Sequence, residues 1–225
     1  MSETAVREVV SATDHALASR CTLTLDRPAA PGRPRRRTGA GTRRTSLSSQ
    51  GTVIGEEALS LHDFTARTIE GDRRPLSDYR GQVVLVVNTA TRCGLATQLE
   101  ELEDLQRTFG PRGFTVLGFP CDQFLGQELP LDEQVEELCR SLFEVTFPLF
   151  ARVRVNGPDA DPMWQWLQAQ KAGVIGGRIS WNFTKFLIGP EGQVVRRYAP
   201  PLPPRRIARR IDMMLTDLEA GRPTD

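Results

Sequence analysis

The run Val83-Val-Leu-Val-Val87 constrains this chain more than any other segment. Five consecutive β-favouring residues with no polar alternation read as a buried central strand. Cys93 follows six residues later, in Asn88-Thr-Ala-Thr-Arg-Cys-Gly94, and a helical pattern comes after it. That order puts the thiol on a strand-to-helix loop, where open α/β sheets carry their chemistry. A thiolate there would face the first N–H groups of a helix, which favour negative charge.

The elements around this strand follow from periodicity. Leu61 to Ile69 and Arg74 to Tyr79 read as a short hairpin leading into it. Gln98 to Phe109 is helical, with Leu99, Leu102, Leu105 and Phe109 on one face. Phe114 to Phe119 is a second strand, closed by Pro120. Asp132 to Phe143 is a helix whose inward residues are expected to be Val135, Leu138 and Leu142. Arg152 to Val155 reads as a weak strand, and Asp161-Pro162 caps a helix through Gln170. Phe183 to Ile188 and Val194 to Tyr198 form a hairpin across Gly189-Pro-Glu-Gly192. The last helix repeats Ile207, Ile211, Met214, Leu215 and Leu218 at helical spacing. A βαβ half, a helix and a ββα half imply an α/β fold with a mixed sheet.

A chain of 225 residues, 39% hydrophobic, supports one ordinary core and does not require two domains. Residues 1–55 differ in composition from 56–225. Arg, Gly, Ser, Thr and Pro dominate from Pro28 to Gly51, and residues 1–50 carry a net charge of about +5. Such a segment cannot bury enough apolar surface to offset the entropy of ordering, so a disordered tail is expected. Its Arg cluster could touch nucleic acid or anionic lipid, but a solvated tail explains it as well, and neither partner is expected. Arg43-Arg44 is followed by no apolar stretch of the kind an export signal needs. No segment approaches the roughly 18 to 20 apolar residues of a membrane span. Of 29 basic residues only Lys171 and Lys185 are lysine, which reads as genome bias.

Four cysteines, Cys21, Cys93, Cys121 and Cys139, are too few for a disulfide scaffold in a chain this long. No Cys-x-x-Cys occurs and the two histidines, His15 and His62, are isolated, so neither a zinc site nor another cofactor is expected. Catalytic or core thiols in a reducing compartment, the cytoplasm, are the better reading.

Three further segments carry chemistry: Gly118-Phe-Pro-Cys-Asp-Gln-Phe-Leu-Gly-Gln-Glu128, Val145-Thr-Phe-Pro148 and Trp181-Asn-Phe-Thr-Lys-Phe186. Together with Asn88–Gly94 they resemble the glutathione peroxidase family over roughly residues 58 to 220. The resemblance implies a thioredoxin-like fold, with a central mixed sheet flanked by helices. It also implies that Cys93 is the peroxidatic residue, a position held by selenocysteine in some members. Gln127, Trp181 and Asn182 match the residues that surround the reactive atom in the family. Amides and indole N–H groups donate hydrogen bonds, so they can favour a thiolate and hold peroxide oxygens. Glu137-Leu-Cys-Arg140 matches the position of the resolving cysteine in the cysteine-type, thioredoxin-using members, which makes Cys139 the resolving thiol. By the same comparison Cys121 is structural, and Trp164 and Trp166 read as packing residues. Two departures from the family pattern, Leu125 where glycine is common and Pro130-Leu-Asp132 where a Gly-Ser/Asn turn is common, alter the stiffness of the loop near Gln127.

Magnitudes indicate what the hydrogen-bond donors are for. A thiol of pKa about 8.5 is only ~3% thiolate at pH 7, and lowering it to ~6 gains about 30-fold in thiolate. A Brønsted slope of about 0.4–0.5 returns roughly tenfold of that gain as lost nucleophilicity. The larger task is therefore stabilising the hydroxide or alkoxide that departs from the peroxide.

Rival thiol enzymes fit poorly. A peroxiredoxin motif would need proline at 86 and threonine at 90, where this chain has Val86 and Ala90. A copper-delivery relative would need Cys-x-x-x-Cys. The expected activity is reduction of hydrogen peroxide and organic hydroperoxides through a Cys93 sulfenic acid and a Cys93–Cys139 disulfide, recycled by thioredoxin, with glutathione as the second choice of reductant. A peroxide sensor passing its disulfide to a partner protein shares the same first step. The segment Lys171 to Ser180 is short where tetrameric family members carry an insertion, which implies a monomer.

Overall fold

In the computed structural model, the residues described are 59–171, 173 and 176–223. The expectations for residues 1–55, including Cys21 and His15, lie outside them. Among the described residues, six strands and four α-helices follow in chain order: β1 (Thr65–Arg67), β2 (Arg73–Pro75), β3 (Val83–Thr89), α1 (Gln98–Phe109), β4 (Phe114–Pro120), α2 (Asp132–Leu142), α3 (Pro162–Gln170), β5 (Lys185–Ile188), β6 (Val194–Tyr198) and α4 (Ala208–Glu219). β1 and β2 form a separate antiparallel pair. The main sheet has the order β4-β3-β5-β6, with β3 parallel to β4 and antiparallel to β5.

All seven residues of β3 are buried, as the uninterrupted apolar run predicts. Its side chains alternate between two cores. Val83, Leu85 and Val87 join Phe114, Val116 and Leu187 beneath α1, α2 and α4. Val84 and Val86 join Leu117, Phe119, Phe186 and Ile188 beneath α3. Each such side chain contributes roughly 1.5–3 kcal/mol on burial, so this one strand anchors both faces. Trp164 and Trp166 are packing residues, as expected. Trp164 lies edge-on to Phe119 and Phe186, at 5.8 and 6.1 Å between centroids. The Asp161 side chain caps α3 by accepting the Met163 N–H at 2.9 Å.

Three local expectations need correction. The first hairpin is shorter than its pattern implied, because 3₁₀ turns at Leu61–Asp63 and Leu76–Tyr79 take its ends. Arg152 to Val155 forms no strand. The Gln123 side chain takes the backbone N–H groups of Val155 and Asn156 at 2.6 and 2.9 Å, so they are not offered to a ladder. In α2 the inward residues are Val135 and Cys139, Leu138 is half-buried, and Leu142 is 50% exposed. The helix ends at Leu142 and the chain turns through Glu144 in the left-handed region (φ 49°), which brings Val145 and Phe147 into the core in its place. The Val145 N–H closes this turn on the Cys139 carbonyl at 3.1 Å. Glu103 of α1 fixes the returning segment by accepting the Thr146 N–H and hydroxyl, each at 2.7 Å.

Candidate active site

Sheet topology gathers three chain segments at one edge. β3 and β4 are parallel and end opposite each other, Thr89 against Pro120. β5 runs the other way and starts with Lys185 opposite Val87. The loops leaving β3 and β4 and the turn entering β5 therefore emerge together. They carry Cys93, Gln127 and the Trp181-Asn182 pair respectively.

Backbone bonds fasten these loops to each other. The Arg92 N–H donates to the Gln127 carbonyl at 3.0 Å, and the Cys121 N–H to the Thr89 carbonyl at 2.9 Å. Asn88, at the end of β3, latches the third segment. Its amide donates to the Trp181 carbonyl at 3.2 Å and its Oδ1 accepts the Thr184 N–H at 3.0 Å. Its carbonyl accepts the Phe183 N–H at 2.7 Å. Phe183 is held in the left-handed region (φ 64°) while fully buried. That conformation costs a bulky L-residue free energy and persists only where surroundings over-determine it. Here it fixes the direction of Asn182.

Cys93 is 7% exposed. Its Sγ receives the Leu95 N–H at 3.5 Å. α1 begins only at Gln98, so the donor on the sulfur belongs to the intervening turn rather than to the helix terminus that the sequence pattern suggested. Gln127 and Trp181 are half-buried and Asn182 is fully buried. The Asn182 Nδ2 donates to Gln127 Oε1 at 3.2 Å. The Gln127 acceptor is thus used within the pair, and its NH₂ is the donor it has to offer. Asn182 Oδ1 is buried without a partner. The Trp181 ring packs on the same apolar cluster as Cys93 and lies 5.7 Å from the Phe124 ring.

The remaining thiols divide by face. Cys139 is 1% exposed and shares the α1–α2–α4 core with Cys93, whereas Cys121 is fully buried in the opposite core, beneath α3. All three are free. Burial pushes the Cys121 thiol up to about 11 and the Cys139 thiol up to about 12. Neither is a nucleophile at neutral pH while the reduced fold encloses it.

Two residues that sequence reasoning did not single out support this site. Thr91, two before Cys93, donates both its N–H (3.1 Å) and its hydroxyl to Glu128 Oε1. Glu128 is 5% exposed, and burial raises its proton affinity. The available signal was a carboxylate directly after Gln127 in an otherwise weakly charged motif. No group of His, Cys, Asp and Glu among the described residues could hold a metal ion.

The profile of the glutathione peroxidase family matches residues 61–168. A glutathione peroxidase homolog, BsaA, of Halalkalibacterium halodurans is 47% identical over 157 residues, covering 70% of this chain and all of that protein. The chain belongs to the glutathione peroxidase family. It is 43% identical to the hydroperoxy fatty acid reductase gpx1 of Synechocystis sp. over 162 residues, 69% of this chain and 96% of that one. The solved structure of T. cruzi GPX1 superposes with a TM-score of 0.60 at 31% identity, covering 70% of this chain and 97% of that one. As a glutathione peroxidase family member the protein is a peroxidase, an oxidoreductase with peroxide as acceptor, on a thioredoxin-like fold.

Proposed function

We propose that this peroxidase reduces hydrogen peroxide and organic hydroperoxides with Cys93 as nucleophile and Cys139 as resolving thiol. The Cys93 thiolate attacks one peroxide oxygen, the O–O bond breaks, and the sulfur becomes a sulfenic acid. The departing hydroxide or alkoxide takes a proton and hydrogen bonds from the site. Gln127 NH₂, Asn182 and the Trp181 indole N–H are the donors that serve it. Cys139 then condenses with the sulfenic acid, forming the Cys93–Cys139 disulfide and water. Thioredoxin reduces that disulfide, its potential of about −270 mV making it a competent donor; glutathione is the alternative.

The observation that carries this reading is the Cys93 loop itself, with the Leu95 N–H on its sulfur and the Gln127–Asn182 pair bonded to it through Arg92. A fully buried Cys139 in α2 adds that the second step needs local opening of that helix. Hydroperoxy fatty acid reductase activity in a relative supports organic hydroperoxides as substrates. No helix among the described residues is long and apolar enough to cross a membrane. We read the protein as a cytoplasmic monomer in the response to oxidative stress, since a single chain leaves Cys93 open to a protein reductant. Steady-state peroxide consumption, with thioredoxin and with glutathione as alternative donors, tests the scheme. Thioredoxin should sustain turnover in the parent and not in Cys93→Ser; turnover by that variant would move the chemistry to another thiol.

A further inference from the structure

The two oxygens of the buried Glu128 carboxylate are used unequally. Oε1 accepts the Thr91 N–H (3.1 Å), the Thr91 hydroxyl and the Leu129 N–H (2.9 Å). Oε2 is buried and has no hydrogen-bond partner. A dry, unpaired carboxylate oxygen is costly, and an amide at this position would hold Thr91 and Leu129 equally well through one oxygen. Anchoring the loop therefore does not explain the second oxygen.

Glu128 is tied to the loop of one thiol of the proposed cycle and adjoins the helix of the other. Through Thr91 it grips the loop that carries Cys93. In sequence it precedes α2, the helix of Cys139, by four residues, and Leu129 beside it packs on the core shared by both thiols. Its charge acts on the Cys139 thiol more strongly than that of Arg140, the next residue in the chain, or of Glu136. The Arg140 guanidinium reaches away to the Val145 and Phe147 carbonyls, and the Glu128 charge raises the Cys121 thiol as well.

We propose that Glu128 carries the proton of the resolving step, taking it from the Cys139 thiol on Oε2 and delivering it to the oxygen that leaves Cys93. This rests on the reading of Cys139 as the resolving thiol. The step balances as Cys93–SOH plus HS–Cys139 giving the disulfide and water. The S–S bond forms as the S–O bond breaks, the Cys139 sulfur is oxidised, and the Cys93 sulfur is reduced from the sulfenic to the disulfide level. A protonated thiol is a poor nucleophile and hydroxide a poor leaving group, and one carrier serves both. Burial raises the proton affinity of Glu128, opposed in part by the Arg152 charge, which moves the carboxylate towards a competent base. The other charges in this field are Arg140 and Glu136 on Cys139, and Asp122 beside Cys121.

The test is a single turnover of the full chain with one equivalent of hydrogen peroxide. Sulfenic acid is trapped with dimedone, and disulfide is read by mass spectrometry. In Glu128→Gln, which keeps an oxygen for Thr91 and Leu129, disulfide formation should slow by about 100-fold or more, the usual contribution of a general base. Sulfenic acid formation should fall by no more than about tenfold, a tenth of that effect. Disulfide formation at the parent rate, or an equal loss in both steps, overturns the inference. The parent protein gives a second test that needs no variant. Its resolving rate should level off above the titration of the carboxylate. A rate that climbs tenfold per pH unit through pH 9 would assign the proton to hydroxide and overturn the inference. A parent that forms no Cys93–Cys139 disulfide overturns the resolving role of Cys139 and the inference with it, whereas normal resolution in Glu128→Gln overturns the inference alone.

Discussion

Lys185 opens β5, three residues after Asn182, and is fully buried. Its Nζ donates to the Pro200 carbonyl at 3.0 Å and the Leu202 carbonyl at 2.7 Å. Burial lowers its proton affinity from 10.5 to about 7, with the Glu101 charge opposing. Between those two values the unfolded chain binds more protons than the folded one, so folding stability must rise with pH across that window. At pH 7 the folded amine is about half protonated and the unfolded one fully so; by pH 8 the difference approaches one proton. With a slope of at most about 1.4 kcal/mol per pH unit, the gain between pH 7 and pH 9 is about 2 kcal/mol. For a folded unit of this size that amounts to roughly 4–8 °C in Tm. Lys185→Met keeps the unbranched stem and removes the amine. The raised thiols of Cys121 and Cys139 work in the opposite direction, because their unfolded forms ionise first, but they do so equally in both proteins. The difference between parent and variant therefore isolates Lys185. Urea unfolding at pH 7, 8 and 9 should show the parent gaining on the variant throughout. Parallel stability curves would mean that Lys185 is charged in the folded state and would refute the reasoning.

Cys139→Ser should react once with peroxide and then stall as sulfenic acid, losing thioredoxin-dependent turnover. In the parent, oxidation should expose one or two turns around Cys139. Peptide mapping and amide exchange over residues 132–143 check both, and a Cys93–Cys121 linkage or unchanged protection would contradict them. Gln127→Ala, Trp181→Phe and Asn182→Ala should each lower the second-order rate constant with peroxide by ~1–3 kcal/mol in barrier terms, the scale of a transition-state hydrogen bond; three variants as fast as the parent would remove these donors from the mechanism. Leu125 is 81% exposed and sits in the left-handed region at φ 59°. Leu125→Gly should relieve about 1–2 kcal/mol of backbone strain while returning about 0.5–1 kcal/mol as chain entropy. A net gain of up to about 1.5 kcal/mol should appear in a thermal melt, and a lowered Tm would show that the leucine earns its place by packing.

The sequence by itself determined the elements and the chemistry on offer. An uninterrupted apolar run can only be satisfied by burial on both faces, so Val83–Val87 had to be central, and the helical periods of α1 and α4 had to face it. Residue type fixed which groups can act: a thiol at Cys93 and donors at Gln127, Trp181 and Asn182. Local pattern failed where a contact distant in sequence took over a backbone group. Gln123 captured the Val155 donor, and Asp132 that of Arg152, so Arg152–Val155 could not continue as a strand. The turn at Glu144 gave Val145 and Phe147 the core positions that helical spacing assigned to Leu142. Tertiary structure alone decided which thiols share a core, because the faces of a sheet are assigned by register and not by spacing along the chain. It put Cys139 on the side of Cys93 and Cys121 on the other. It also bound Glu128 to Thr91 across 37 residues. Burial created the uneven carboxylate there and the displaced titration of Lys185, since the cost of a charge depends on what surrounds it once the chain has closed.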